Sequence, residues 1–188
     1  MSRPEIVPYS QHWPAAFGAM AKRIRGVLGP AALRIDHIGS TAVPGLPAKN
    51  VIDIQVSVAD LGAADGLAAA GFRPFGEIRG DHRPPGNQSA EVQWAKRLFG
   101  EPVDERRANV HVRVDGSANQ RYALLFRDYL RAHPATAEAY AELKRRLAAH
   151  MPDPITYADV KDPAVDLIAL AAEDWAAATG WRPPPSDA

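Results

Sequence analysis

Between residues 10 and 28 the apolar side chains Trp13, Phe17, Met20, Ile24 and Val27 recur at helical spacing. Pro14 suits a first turn and Gly29-Pro30 is a stop signal, so the pattern predicts an amphipathic helix. LRIDHIG, ending at Gly39, then reads as a short first strand, and STAVPGLPAKN (40–50) holds two prolines and a glycine in what must be a structured turn region. VIDIQVSV (51–58) alternates cleanly, with Ile52, Ile54, Val56 and Val58 on one face and Asp53, Gln55 and Ser57 on the other. Such alternation predicts a strand with one face on a core and the other on water or a cleft. Asp60 is placed to cap a short Ala-rich helix, 61–70, closed by Gly71.

The pattern then loosens. Residues 76–90, GEIRGDHRPPGNQSA, are rich in Gly, Pro and polar side chains, and the stretch 79–90 is expected to be mobile and to border a cleft. EVQWAKRLF (91–99) reads as a strand, and NVHVRV (109–114) as a clearer one, with Asn109, His111 and Arg113 opposite three valines. The two alternating strands, 51–58 and 109–114, are expected to be neighbours with Asp53 and His111 on one face. Beyond them the chain turns helical: 120–133 and 135–150 form a hairpin broken at Pro134, and a last helix starts near Asp162-Pro163 and runs to about Thr179. Strands followed by segregated helices predict an α+β fold, a mixed β-sheet packed on helices with a C-terminal helical block. The expected organisation is a single domain over 1–180, with a sheet core at about 31–116, a helical part at about 118–180, and a disordered tail at 181–188.

Composition narrows the function. An apolar fraction of 46% and a charged fraction of 23% are those of a globular domain, and 188 residues suffice for a core without staples. Lys plus Arg number 22 against 22 Asp plus Glu, so no global field draws the chain to nucleic acid or to a membrane surface. There is no cysteine, which removes disulfides, thiolate metal sites and thiol nucleophiles together. The opening MSRPEIVPYS has no apolar signal core, and no run approaches the ~18 apolar residues of a membrane span, so the expected setting is cytoplasmic.

The candidate chemistry lies in HIGSTAVPGLPAKNVIDIQV, residues 37–56. A Gly-Ser at a strand end offers backbone N–H groups and a hydroxyl to a phosphate without a Cβ in the way. Lys49 can neutralise that phosphate as a point charge, and Asp53 on the next strand can hold a Mg²⁺ bridging phosphate oxygens. Here the stretch resembles the nucleotidyltransferase superfamily signature, Gly-Ser followed on the second strand by Asp-hydrophobic-acid. More closely, HIGSTAVPGLPAK with VIDI resembles the GrpB family, as do NVHV (109–112), LLFRDYLRAHP (124–134), YAELKRRLA (140–148) and the pair Tyr157 and Lys161. The resemblance runs from Ile6 to about Ile168.

It implies a polymerase-β-type nucleotidyltransferase fold, whose active members hold two Mg²⁺ with several acids for in-line nucleotidyl transfer. It implies Asp53 and His111 as catalytic, Asp53 and Gln55 as metal ligands to Mg²⁺ or Mn²⁺, and Gly39, Ser40, Thr41, Lys49, Arg113, Arg127 and Lys161 as contacts to nucleotide or phosphate. The sequence departs from that pattern where the second acid should stand, since Gln55 is a neutral amide, and Asn109 and His111 supply no third acid. Glu77, Asp81 and Glu91 are candidate replacements. GrpB-like domains also occur fused to dephospho-coenzyme A kinase, which makes that enzyme a candidate partner.

Each assignment has a plainer rival. Gly39-Ser40-Thr41 can be a tight turn with locally bonded hydroxyls. Asp53 can be salt-bridged, and His37 a hydrogen-bonded structural histidine. Arg127, Asp128 and Arg131 can be an ion-paired helix face, Lys144, Arg145 and Arg146 a solvated one, and Lys161 the partner of a nearby acid. At the level of the whole chain, the alternative to a transferase is a non-catalytic binding or accessory domain. Ser40 lacks a G-x-S-x-G elbow and there is no H-E-x-x-H, so neither a serine hydrolase nor a zinc hydrolase is indicated.

Overall fold

The computed structural model describes residues 4–188. Its element order is α1 (Trp13–Leu28), β1 (Arg34–Ile38), β2 (Ile52–Val58), α2 (Asp65–Ala69), β3 (Arg73–Pro74), β4 (Lys96–Gly100), β5 (Ala108–Val114), α3 (Ala118–Ala132), α4 (Pro134–His150) and α5 (Pro154–Thr179). The strands make one five-stranded sheet in the order β1-β2-β5-β4-β3. Only β2 and β5 run parallel; β1 with β2, β5 with β4 and β4 with β3 are antiparallel, so the sheet is mixed.

Alternation decides which face meets what. Ile52, Ile54, Val56 and Val58 of β2 and Val110 and Val112 of β5 are buried against Trp13, Phe17, Met20, Ala21 and Ile24 of α1 in the main core. That core also receives Leu67 of α2 and Phe72. At roughly 1.5–3 kcal/mol per fully buried large aliphatic or aromatic side chain, this face carries most of the hydrophobic stabilisation. The other face is polar and lies under α3 and the 76–95 segment, where Gln55, Ser57, Arg113, Asn119 and Gln120 are all buried. Buried polar groups persist only when hydrogen-bonded: Gln55, Ser57, Arg113 and Gln120 pair with one another, and Asn119 donates to the Ala95 carbonyl.

Several expectations are corrected. The last helix starts at Pro154 and not near Asp162, because Asp153 accepts hydrogen bonds from the Ile155 and Thr156 amides as an N-cap. Pro163 sits inside that helix. Residues 91–94 form a 3-10 turn before β4 instead of opening a strand. The 76–90 segment is not loose along its length: Gly80 bridges Ala95, the Asp81 amide donates to the Trp94 carbonyl, and the Asp81 carboxylate is locked beneath it. Nor is 181–188 a frayed tail. Pro184, Ser186, Asp187 and Ala188 all hydrogen-bond to β1 or to side chains beside it.

Candidate functional site

The register of β2 on β5 sets Asp53 opposite Asn109, Gln55 opposite His111 and Ser57 opposite Arg113, all on the polar face. At the end of β1 the chain turns through Gly39, whose φ of 69° lies in the left-handed region that favours glycine. A Cβ there would stand 2.5 Å from Asp53 Oδ2, so glycine is also what lets the turn close on the carboxylate. Ser40 opens a 3-10 turn immediately after it.

Asp53 keeps 29% of its side chain exposed. Its Oδ1 accepts from Asn109 Nδ2 at 2.8 Å and lies 4.0 Å from His111 Nε2. Burial pushes the Asp53 carboxyl up from its ordinary value, offset in part by the Asn109 amide and by the charges of Lys49 and Lys161. His111 is held well below the usual histidine range by burial and by Arg113 and Lys96, and is neutral at pH 7. Its Nδ1 faces two cationic donors, Lys96 Nζ and Arg113 Nη2, each at 3.4 Å. The ring hydrogen therefore resides on Nε2, on the side of Asp53.

Three lysines, from the loop before β2, from α4 and from α5, lie within electrostatic reach of this carboxylate. Lys144 of α4 is buried at 3% exposure and donates from Nζ to Ser40 Oγ at 2.9 Å and to the Pro47 carbonyl. Burial and the neighbouring Lys161 bring the Lys144 ammonium down to about 7, against the pull of Asp53. Lys49 lies with Nζ 4.8 Å from the centre of the Tyr157 ring, and burial lowers it too. Lys161, on α5, is within electrostatic reach of Asp53, Lys49 and Lys144, and its Nζ pairs with Asp162 at 3.3 Å. The like charges disfavour one another: Lys161 helps lower both Lys49 and Lys144.

Other assigned residues stand elsewhere. Gln55 is fully buried, its Oε1 accepting from Arg113 Nη1 at 2.6 Å and its Nε2 donating to the Gln120 carbonyl, so neither end is free for a metal. Arg113 is committed to Asp81 and Gln55 and does not reach out to phosphate. Arg127 is fully buried and bonds to Asp128, Asp187 and the His37 carbonyl. Thr41 is buried with its hydroxyl 2.9 Å from His37 Nε2, which makes it part of the turn. Asp81 does approach the polar face, but as the partner of Lys96, Arg113 and Asn119. Burial alone would raise its carboxyl; Arg113 and Lys96 hold it far below the usual range.

Lys144 is the residue that sequence reasoning misplaced. Arg145 and Arg146 form the expected solvated face with Glu142, but Lys144 points the other way. The signal was present: Ala137, Tyr140, Ala141 and Leu147, all buried, make an apolar stripe at helical spacing, and Lys144 falls on it.

The donor set does not fit Mg²⁺ or Mn²⁺. Among the described residues no three of His, Asp and Glu gather as a metal site. The single carboxylate accepts from an amide, the imidazole presents a hydrogen, and the remaining neighbours are ammonium groups. Divalent ions of this kind require several oxygen ligands, and cations repel them.

Fold and geometry together define an α+β domain in which a Gly-Ser turn closes on the one carboxylate of β2 at the end of a mixed sheet, with Lys144 bonded to the turn. The model of the family described as GrpB protein matches residues 3–170, and the chain belongs to the GrpB family. The crystal structure of GrpB from Enterococcus faecalis superposes with a TM-score of 0.74 at 29% identity, over 91% of this chain and 99% of that one. The UPF0157 protein BH1888 of Halalkalibacterium halodurans is 38% identical over 87% of this chain and 79% of its own length. A dephospho-CoA kinase of Mycolicibacterium paratuberculosis is 38% identical over 95% of this chain, which spans only 48% of that protein. The chain thus corresponds to about half of that relative. Among the described residues no helix is long and apolar enough to cross a membrane.

Proposed function

We propose that this GrpB domain binds a phosphate ester of nucleotide size at the Gly39-Ser40 turn, holding the phosphate with lysines in place of metal ions. The observation that carries this reading is the buried Lys144 ammonium on Ser40 Oγ, with Lys49 and Lys161 within electrostatic reach of Asp53 beside it. Because Ser40 Oγ accepts from Lys144, its own hydrogen is free to donate to a phosphate oxygen. Lys49 and Lys161 supply point charges, each contributing on the order of 1–4 kcal/mol at contact distance between the water-like and surface-like limits. Asp53 orders Asn109 and the glycine turn and sets the limit of the anion's approach.

The resemblance to nucleotidyltransferases supports the choice of nucleotide as ligand. The donor set argues against two-metal nucleotidyl transfer, so the domain acts in this reading as a binding module. Differential scanning fluorimetry with ATP, other nucleoside triphosphates, pyrophosphate and coenzyme A, in EDTA and in Mg²⁺, tests it. A ligand at about 100 times its Kd adds about 2.7 kcal/mol, a readable shift. Stabilisation by at least one of these in EDTA is the expected result; stabilisation by none of them overturns the reading.

A second reading rests on the relatives named dephospho-CoA kinase, of which this chain matches about half. In it the domain is an accessory to such a kinase. Co-purification with that enzyme, without any nucleotide affinity of the domain's own, would favour this over the first.

A further inference from the structure

The β1 strand is an edge of the sheet, and an edge strand presents unpaired N–H and C=O groups. Here every outward group of Ile35 and His37 is occupied. The Ile35 amide donates to Ser186 Oγ at 2.9 Å, and the Ile35 carbonyl accepts from the Ala188 amide at 3.1 Å and from Ser186 Oγ at 3.0 Å. The His37 amide donates to Asp187 Oδ2 at 2.9 Å, and the His37 carbonyl accepts from Arg127 Nη1 at 3.0 Å. Arg34 Nη2 donates to the Pro184 carbonyl and Arg25 Nη2 to that of Ala188, both at 3.0 Å. The family match ends at residue 170, so this strap lies outside the matched part.

Arg127 is the floor of the arrangement. It is fully buried, and Asp187 Oδ2 meets its Nη1 at 2.8 Å. Its Nη2 is buried without an acceptor among the described residues. Asp187 therefore uses one oxygen on a guanidinium that has a second donor to give, and a carboxylate seated more squarely could take both. The strap enters through Pro183, Pro184 and Pro185, whose fixed φ keeps the chain extended and lowers the entropy lost on docking.

We propose that the outer edge of β1, with Arg127 beneath it, is a receptor for an extended segment bearing a carboxylate, and that residues 184–188 fill it in exchange with like segments. The segment adds main-chain and hydroxyl bonds along the edge, as in strand addition, and the carboxylate supplies selectivity. The receptor is independent of the lysine cleft, although β1 leads directly into Gly39.

Hydrogen exchange on the chain tests it, because among the described residues the Ile35 and His37 amides donate to the strap alone. Asp187→Asn is expected to speed exchange at both amides about tenfold or more while β2 stays protected. A synthetic peptide of the sequence 182–188, added at millimolar concentration to that variant, is expected to slow both amides again. The same peptide carrying Asp187→Asn is expected not to. Unchanged exchange in the variant overturns the proposal, as does a native peptide that protects neither amide or a peptide with Asp187→Asn that protects both equally.

Discussion

Gly39 and Asp53 are placed as one unit, and substitution at either has a definite sign. Gly39→Ala adds a methyl 2.5 Å from Asp53 Oδ2 at a φ of 69°, so the turn must move. A loss of about 1–3 kcal/mol in urea unfolding is expected, with anion affinity falling alongside. Asp53→Asn acts oppositely on stability. The Asp53 carboxyl is pushed up by burial, so its ionised form costs stability at neutral pH, and the amide removes that cost while still accepting from Asn109. The variant should melt higher than the native protein at pH 7, the difference vanishing as pH falls through the Asp53 value. His37 gives a second pH signature. It is buried, stacked on Phe17 with ring centres 4.9 Å apart, and held at about 4 against an ordinary 6.5. The unfolded chain takes up the proton first, so stability should fall by about 3 kcal/mol between pH 6.5 and 4. His37→Gln should flatten that slope in pH-dependent denaturation; an unchanged slope assigns the loss to other groups. The structural reading of His37 agrees with its surroundings: the ring is buried, stacks on Phe17 and meets the Thr41 hydroxyl at 2.9 Å.

Among elements, the sheet was legible and its cover was not. Alternation in 51–58 and 109–114 dictates both the pairing of β2 with β5 and the common face of Asp53 and His111, because a slip of one residue would bury every polar side chain on the apolar side. The segment at 76–95 carries no such periodicity. Its order comes from Asp81 ion-pairing with Lys96 and Arg113 and accepting from Asn119, contacts between residues far apart in the chain, which no local pattern encodes. The start of α5 was ambiguous in the same way: Asp162-Pro163 carries the same capping signal as Asp153-Pro154, and it is Asp153 that caps the helix, with Pro163 inside it. Asp81 gives the element its test. Asp81→Ala leaves Lys96 and Arg113 buried without their acid, a defect expected to cost about 3–5 kcal/mol. Equilibrium unfolding measures it, and a change under 1 kcal/mol (roughly the worth of an exposed ion pair) would contradict the latch.

For the molecule as a whole, the candidate site was half readable. Gly39, Asp53 and His111 stand together at one end of the sheet with Ser40 next in the chain, and Lys49 and Lys161 act on Asp53 through their charge. Gln55, Arg113 and Arg127 do not join them as free ligands, because each fell to a buried partner that the sequence shows without its position. Lys144 reaches Ser40 from α4 across more than a hundred residues, and on the proposed reading it puts an ammonium group where a metal was expected. It also gives the cleft a pH dependence of two signs. Lys144 is held at about 7, below its ordinary 10.5, so folding stability should rise as pH climbs between those values, while anion affinity falls over the lower part of the range. Lys144→Met should abolish both trends. The central claim is anion capture by lysines without a divalent ion, and titration calorimetry in EDTA tests it most directly. The ligand that stabilises the protein best is titrated into the native chain, Lys144→Met and Asp53→Asn. The account predicts binding by the native chain, a loss of about tenfold or more in Lys144→Met, and affinity equal or higher in Asp53→Asn, because a negative charge has left the cleft. Binding that appears only when Mg²⁺ is added, and disappears in Asp53→Asn, would contradict it.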